Sequence, residues 1–360
     1  MINSSRLVNT FLDLVRIDSP AGGEKDAAEF VAAYLRALGL NPKTDKLHNV
    51  TATLPGKGEP FLVNAHLDSV APCLGVKPRV AGEMIRSDGT TVLGADDRAG
   101  VAAILEALSV LSQDAPRAPH RPVEIVITTQ EEIGLFGARA VDCARLKSKI
   151  GVCLDAYGKV GTLVTQSPTH DTLDVKITGK PAHSGIEPEK GVSAIVVAAQ
   201  ALAAMPLGRV DADTTANFGI VHGGIARNIV APECTLQGEV RSQRVTKLVR
   251  QEKTILRALA HVAKQHGAQV EMRVTRMYNQ FRFTRRDEVV RQVSLALGRI
   301  GCAVSLEASG GGSDANIFNA QGIAVVPVGV GFEKIHTTEE FMPIHELVKS
   351  AQLVVELARL

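Results

Sequence analysis

The stretch VEIVITTQEEIGLFG, residues 123–137, passes in a few positions from a buried-looking run to two adjacent carboxylates. VEIVI reads as a buried strand. Glu131 and Glu132 stand beyond its end, just ahead of a glycine-bearing turn. Like charges in contact repel, and burying either is costly unless something positive compensates. An exposed loop would tolerate the pair. A site in which a metal ion takes one carboxylate and a reaction uses the other would demand it.

The rest of the composition narrows the choice. A chain of 360 residues can build one large core or two domains. Forty basic residues against 38 acidic ones leave a formal charge of +2, which offers no footprint for nucleic acid or an anionic membrane. No apolar run is long enough to span a bilayer. The N-terminal MINSSRLVNTFLDLVRIDSP reads as an amphipathic helix interrupted by Arg6, Asp13 and Arg16 rather than as a signal peptide. Cys73, Cys143, Cys153, Cys234 and Cys302 are dispersed with no CxxC spacing, which argues against a disulfide framework and a thiolate zinc site. A reducing compartment, the cytoplasm, is the expected location.

Outward from the doublet, strand-like runs alternate with helical patterns up to about residue 168. A helix is expected from about Glu24 to Leu38, stopped by Gly39. FLVNAH (61–66) is a short apolar strand. AGVAAILEALSVL (99–111) is an Ala/Leu-rich helix closed by the proline-rich QDAPRAPHRP (113–122). KIGVCLD (149–155) is another buried strand. Such alternation implies parallel crossovers and a sheet covered on both faces. The pattern changes near SPTHD (167–171). TLDVKITGK, the helix GVSAIVVAAQALAAM, the strands ANFGIVHGG and CTLQGEVRS, the helix TKLVRQEKTILRALAHVAKQHG and the strand AQVEMRVTRMY give β-α-β-β-α-β, a ferredoxin-like unit. After Tyr278 the earlier style resumes, with the helix DEVVRQVSLALGRIG, a strand near 303–306 and the run GIAVVPVGVG. The expected organisation is an α/β domain, residues 1–168 and 279–360, carrying an inserted α+β unit, residues 169–278.

Ligands of open α/β sheets bind beyond the carboxyl ends of the strands, and this chain places acids and imidazoles there. His66 and Asp68 follow FLVN, Asp96 and Asp97 open the Ala-rich helix, Asp155 ends GVCL, and His336 follows VVPVGVG. Nitrogen and oxygen donors without cysteine suit Zn²⁺, with Mn²⁺ or Co²⁺ as substitutes. Neighbours on extended chain point opposite ways, so His66 and Asp68, two apart, share a face, and Asp68 could orient His66. Glu131 and Glu132 cannot easily share one, which leaves one for a metal and one to face a water. Each piece has a plainer reading: HxD in a loop, GADD as a helix cap, Asp155 as a capping residue, His336 as a surface histidine.

The order AHLDS, LGADDRAG, TTQEEIGLFGA, LDAYG, KPAHSG, GGIARNIVAPE, GEVRS, ASGGGSDANIF and KIHTTEEFMPI resembles, over nearly the whole chain, the di-zinc exopeptidases of the aminoacylase and carboxypeptidase G type. It looks closest to their peptidase T, or tripeptide aminopeptidase, branch. The resemblance implies a zinc-exopeptidase sheet flanked by helices with an inserted lid or dimerisation domain. It also implies two zinc ions bridged by Asp96, with His66 and Asp155 completing one site and Glu132 and His336 the other. Glu131 would be the general base, Asp68 would orient His66, and His183 would steady the developing oxyanion. Arg241 and Asn228 would hold the substrate's carboxylate or carbonyl, and the loop containing Ser309, Gly310 and Gly311 would line the cleft. The partners implied are a short peptide substrate and, through the inserted unit, a second copy of the chain.

Rival readings use overlapping residues. An N-acyl amino acid amidase or a dipeptidase would use the same centre. A serine hydrolase built on GGGSDA leaves the acidic doublet unexplained and lacks a strand-elbow-helix pattern around Ser313. A non-catalytic peptide-binding protein would have no need of every metal-competent position.

Overall fold

Val123–Thr128, Phe61–His66, Ile150–Ala156 and Ala324–Gly329 lie side by side and parallel in the computed structural model, which describes residues 1–114 and 118–360. Every residue of Phe61–His66 and Val123–Thr128 is buried, as a strand covered on both faces requires. The expectation of parallel strands holds for this centre and fails at its flanks. Val50–Leu54 runs antiparallel to Val123–Thr128, and Thr162–Ser167 meets Ala324–Gly329 antiparallel, so the sheet is mixed. The reason on one side is the linker 55–60, which contains Pro55, Gly56 and Gly58 and is too short for a crossover helix, so the chain reverses.

This sheet belongs to the first of two units, residues 1–166, 281–309 and 313–360. Its helices follow from their apolar spacing. In Ser4–Arg16 the residues Leu7, Phe11, Leu14 and Val15 are buried, and the Asn3 side chain accepts from Arg6 N–H as an N-cap. Ala95–Asp114 is buried throughout residues 95–111, because it lies between the sheet and the helices Ser4–Arg16 and Ile344–Ala358. Small Ala and Gly residues let those neighbours approach. Glu106, on this helix, is buried and paired with Arg6 at 2.6 Å. The centre of the proline-rich stretch expected to close the helix, residues 115–117, lies outside the described residues.

A small sheet of Arg79–Ala81, Met84–Arg86 and Phe341–Pro343 was not legible beforehand, since three-residue strands carry no periodicity. It fastens the segment after His336 to the segment before Asp96.

The second unit comprises residues 167–280 and 310–312. Its sheet has the order Gly208–Asp211, Thr214–Gly223, Glu233–Ser242, Thr169–Thr178 and Gln269–Tyr278, antiparallel throughout. Leu173, Val175 and Ile177 are buried, while Asp174 and Lys176 between them are exposed. The buried face packs under Ala194–Ala204 and Val245–His266 through Val197, Ala198, Ala201, Leu248, Ile255 and Leu259. This is the expected ferredoxin-like arrangement, extended by the short hairpin strand Gly208–Asp211.

The loop after Val123–Thr128 closes on itself. Gly137 N–H donates to Thr129 O at 3.0 Å, and Asn49 ties both ends, its Oδ1 accepting from Thr129 N–H and its Nδ2 donating to Gly137 O, each at 3.0 Å. A Cβ on Gly137 would run into Thr129 O and come within 2.6 Å of Asn49 Oδ1. Gly137→Ala is therefore expected to destabilise the protein by about 1–3 kcal/mol, read from the urea midpoint at constant m. An unchanged midpoint would show that the loop does not depend on this close approach.

Candidate metal centre

Parallel strands deliver their carboxyl ends to one edge of a sheet. His66 ends one central strand, Asp155 lies near the end of the next, the 129–137 loop follows a third, and His336 follows the fourth. Asp96 joins them from the non-helical first turn of the buried helix Ala95–Asp114.

Asp96 stands between two imidazoles. His66 Nε2 lies 3.3 Å from Asp96 Oδ1 and 3.5 Å from Asp155 Oδ1. His336 Nε2 lies 3.4 Å from Asp96 Oδ2 and 3.1 Å from Glu132 Oε1. Two groups result, His66/Asp96/Asp155 and Asp96/Glu132/His336, each with donor atoms within 4.8 Å of one another. Asp68 stands behind His66, with its Oδ1 3.4 Å and its backbone O 3.1 Å from Nδ1, leaving Nε2 for the cluster.

The electrostatics explain why such a cluster needs a cation. Asp68, Asp96, Asp97 and Glu131 are buried, and two imidazoles cannot balance them together with Glu132 and Asp155. Burial and the neighbouring Asp155 charge push the Glu131 carboxyl well above its usual range. Burial likewise raises Asp155, to about 7. Burial opposes ionisation of Asp96 too, but His336 and His66 outweigh it and hold that carboxyl below its usual range. Hydrogen bonds to Asp96 and Glu132 lift His336 to about 10. Burial disfavours the His66 imidazolium, yet Asp155, Asp68 and Asp96 carry its pKa well above normal. Asp96 Oδ1 is buried with no hydrogen-bond partner among the described residues. An orphaned carboxylate oxygen among nitrogen and oxygen donors fits a divalent ion such as Zn²⁺, Mn²⁺ or Co²⁺.

The main chain is fixed by acids that bear no ligand atom. Asp68 accepts from Glu131 N–H through Oδ1 and from Glu132 N–H through Oδ2, both at 3.0 Å. Asp97 accepts from His66 N–H at 3.2 Å and from Gly100 N–H at 3.3 Å, so the capping expected of GADD falls to its second member. Glu340 accepts from Gly94 N–H at 2.7 Å and Asp96 N–H at 3.0 Å. Sequence reading missed Glu340. Its signal was a further acidic doublet, Glu339–Glu340, close behind His336. Asp314 was missed as well: it is buried, bonded to Thr128 Oγ1, and raised by burial to about 6. Two ligand-bearing segments cross the left-handed region at non-glycine residues, Gln130 at φ 53° and His336 at φ 61°.

The remaining expected residues lie elsewhere in the chain. In the second unit, His183 is exposed and bridges to Ile229, next to the exposed Asn228, whose carbonyl accepts from Ser184 N–H. Arg241 makes a two-pronged pair with Glu239 at 2.9 and 3.0 Å and reaches Tyr278 Oη at 3.3 Å. Ser309 N–H donates to Gln166 O, and Gly311 O accepts from Ser167 Oγ. Ser313 opens the helix Asp314–Ala320 in extended conformation, φ −151° and ψ 177°, unlike the strained turn of a serine nucleophile.

Comparison with known proteins points the same way as this chemistry. Residues 169–269 match the peptidase dimerisation domain, and residues 49–178 match peptidase family M28. The solved structure of aminopeptidase PepT from Bacillus cereus is 41% identical, covering 99% of this chain and 98% of that one, with a TM-score of 0.89. A tripeptidase from Staphylococcus aureus is 40% identical, covering 100% and 98%, with a TM-score of 0.94. Peptidase T of Geobacillus thermodenitrificans is 24% identical over 98% of each chain. With 41% and 40% identity to the two solved structures over nearly the whole of each chain, the chain belongs to the peptidase T-like metallopeptidases of the aminoacylase and carboxypeptidase G type.

Proposed function

We propose that the chain is an aminopeptidase for tripeptides and similar short peptides, working with two divalent cations. His66, Asp96 and Asp155 would hold one, and Asp96, Glu132 and His336 the other. The observation that carries the reading is Asp96, whose two carboxylate oxygens face separate imidazole–carboxylate groups. The chemistry a bound divalent pair supplies is polarisation of a carbonyl and a water of near-neutral pKa.

The chain's own residues do the rest. Glu131 is the general base: its buried carboxyl takes a proton from the attacking water and returns it to the leaving amine. Asp68 keeps the His66 ring in place and fixes the main chain of the doublet. In this reading His183 would steady the developing oxyanion, Asn228 and Arg241 would hold the substrate's carboxylate or carbonyl, and the segment of Ser309, Gly310 and Gly311 would line the cleft. The names of the two similar solved proteins, an aminopeptidase and a tripeptidase, favour a free-amine peptide over an N-acyl amino acid. The match to a dimerisation domain supports a homodimer. No helix of the described residues is long and apolar enough to cross a membrane. The unpaired cysteines suit a reducing compartment, and we assign the protein to the cytoplasm.

Two measurements test the proposal. Chelator-stripped protein is expected to take up two zinc ions by native mass spectrometry. Asp96→Ala should weaken that uptake by more than about 100-fold, because even outer partners of a metal ligand are worth 10- to 100-fold. Uptake unchanged in that variant would remove Asp96 from the centre. Glu131→Gln is expected to keep both ions while turnover of a free-amine tripeptide drops by about 10²- to 10⁴-fold. Full activity there ends the base assignment, and faster cleavage of N-acetyl amino acids than of tripeptides would shift the reading to a deacylase.

A further inference from the structure

The segment carrying the doublet offers four consecutive backbone N–H groups, and all four are taken by side chains. Thr129 N–H donates to Asn49 Oδ1 at 3.0 Å, Gln130 N–H to Glu24 Oε1 at 2.9 Å, and Glu131 and Glu132 N–H to the two oxygens of Asp68. Asn49 and Asp68 come from beside neighbouring strands. Glu24 comes from the start of the helix Lys25–Ala37, 106 positions away from Gln130.

An acid at the start of a helix ordinarily caps it. Glu24 does not: it sits at the N-cap with no side-chain bond to that helix. Its Oε1 turns to Gly22 N–H at 2.8 Å and to Gln130 N–H instead, and the residue is 1% exposed. Burial raises its pKa, and Oε2 has no partner among the described residues. A buried carboxyl in such surroundings is costly, and no side-chain hydrogen bond to the helix offsets that cost. What it does hold is Gln130, at φ 53°, the residue immediately before Glu131.

We propose that Glu24 is a positioning residue for the proposed base: by accepting from Gln130 N–H it keeps Gln130 in the left-handed conformation that sets the direction in which Glu131 leaves the loop. This rests on Glu131 being the base, and it gives a residue at the start of a remote helix the task of setting the loop's course, outside the reacting groups. The requirement is for an acceptor oxygen at that reach. Charge is secondary, because a protonated carboxyl or a carboxamide presents the same carbonyl oxygen.

The discriminating pair is Glu24→Asp, which keeps the acid and loses the reach, and Glu24→Gln, which keeps the reach and loses the charge. With the metal-loaded enzyme and a free-amine tripeptide, Glu24→Asp is expected to lower kcat by about 10- to 100-fold with KM changed less than about threefold. Metal stoichiometry and far-UV circular dichroism should stay as in the unmodified protein. Glu24→Gln should stay within about threefold of normal kcat. Normal turnover in Glu24→Asp overturns the proposal, and so does a Glu24→Gln variant as slow as Glu24→Asp. A Glu24→Asp protein that has lost its fold or its metals makes Glu24 a folding residue, which also overturns it. Glu131→Gln, assayed in parallel, separates the two ideas: if that variant stays active, the base assignment is at fault, whatever the Glu24 variants do.

Discussion

Asp96 is the point on which the site turns. It is shared by two imidazole–carboxylate groups and buried with an unbonded oxygen, in a ring of acids too numerous for two histidines to neutralise. Like charges at this density repel strongly in a poorly solvated place. The fold tolerates the ring because parallel strands converge there, and their carboxyl ends bring donors from four remote segments to one edge. A bound divalent metal would relieve the repulsion, which links the folded state to the capacity to bind metal.

That link also says why the site was readable from the sequence and where the reading stopped. Buried strands announce themselves by apolar runs, and a charged residue at the end of such a run is conspicuous. His66, Asp96, Glu132, Asp155 and His336 all stood out on that basis, and the structure brings them together. Glu340 and Glu24 did not, because what they bind is backbone N–H, and no residue type marks an amide that needs an acceptor. Glu340 acts on Asp96 across 244 positions, a separation over which sequence spacing carries no signal. The antiparallel flanks of the sheet were hidden for a related reason: a strand's direction depends on its linker and its neighbours, and the strand itself looks the same either way.

The second unit shows the opposite balance. Its alternating strands fixed the ferredoxin-like order well, since period-two burial is local information. Its polar residues were harder to read. The resemblance gave Arg241 to the substrate's carboxylate or carbonyl, yet Glu239, two residues earlier on the same strand, engages its guanidinium with both oxygens while also standing 3.2 Å from His170 Nε2. His170 and Arg241 draw the Glu239 carboxyl down to about 2, its burial notwithstanding. Any anion that Arg241 receives must compete with a carboxylate already in place, so its contribution to substrate affinity is a difference between two pairings and smaller than a free arginine would give.

Three of the acidic doublets, those at the cluster, share one logic. In Asp96–Asp97, the first residue faces the imidazoles and the second holds His66 N–H and the helix start. In Glu131–Glu132, the second faces His336 while the first stays buried, and Asp68 grips the backbone of both. In Glu339–Glu340, the first pairs with Lys334 at the surface and the second turns inward to the Asp96 backbone. Adjacent side chains diverge, so a doublet can put one carboxylate into a cluster and leave its neighbour free for another task. Where that neighbour takes up backbone N–H groups, a negative charge held by several of them costs far less to bury than a bare one. A ligand whose main chain can drift by an ångström binds and orients poorly. The paired charges that looked like a liability in the sequence are therefore, in Asp96–Asp97, the means by which a candidate metal donor and a support for the neighbouring main chain are encoded side by side.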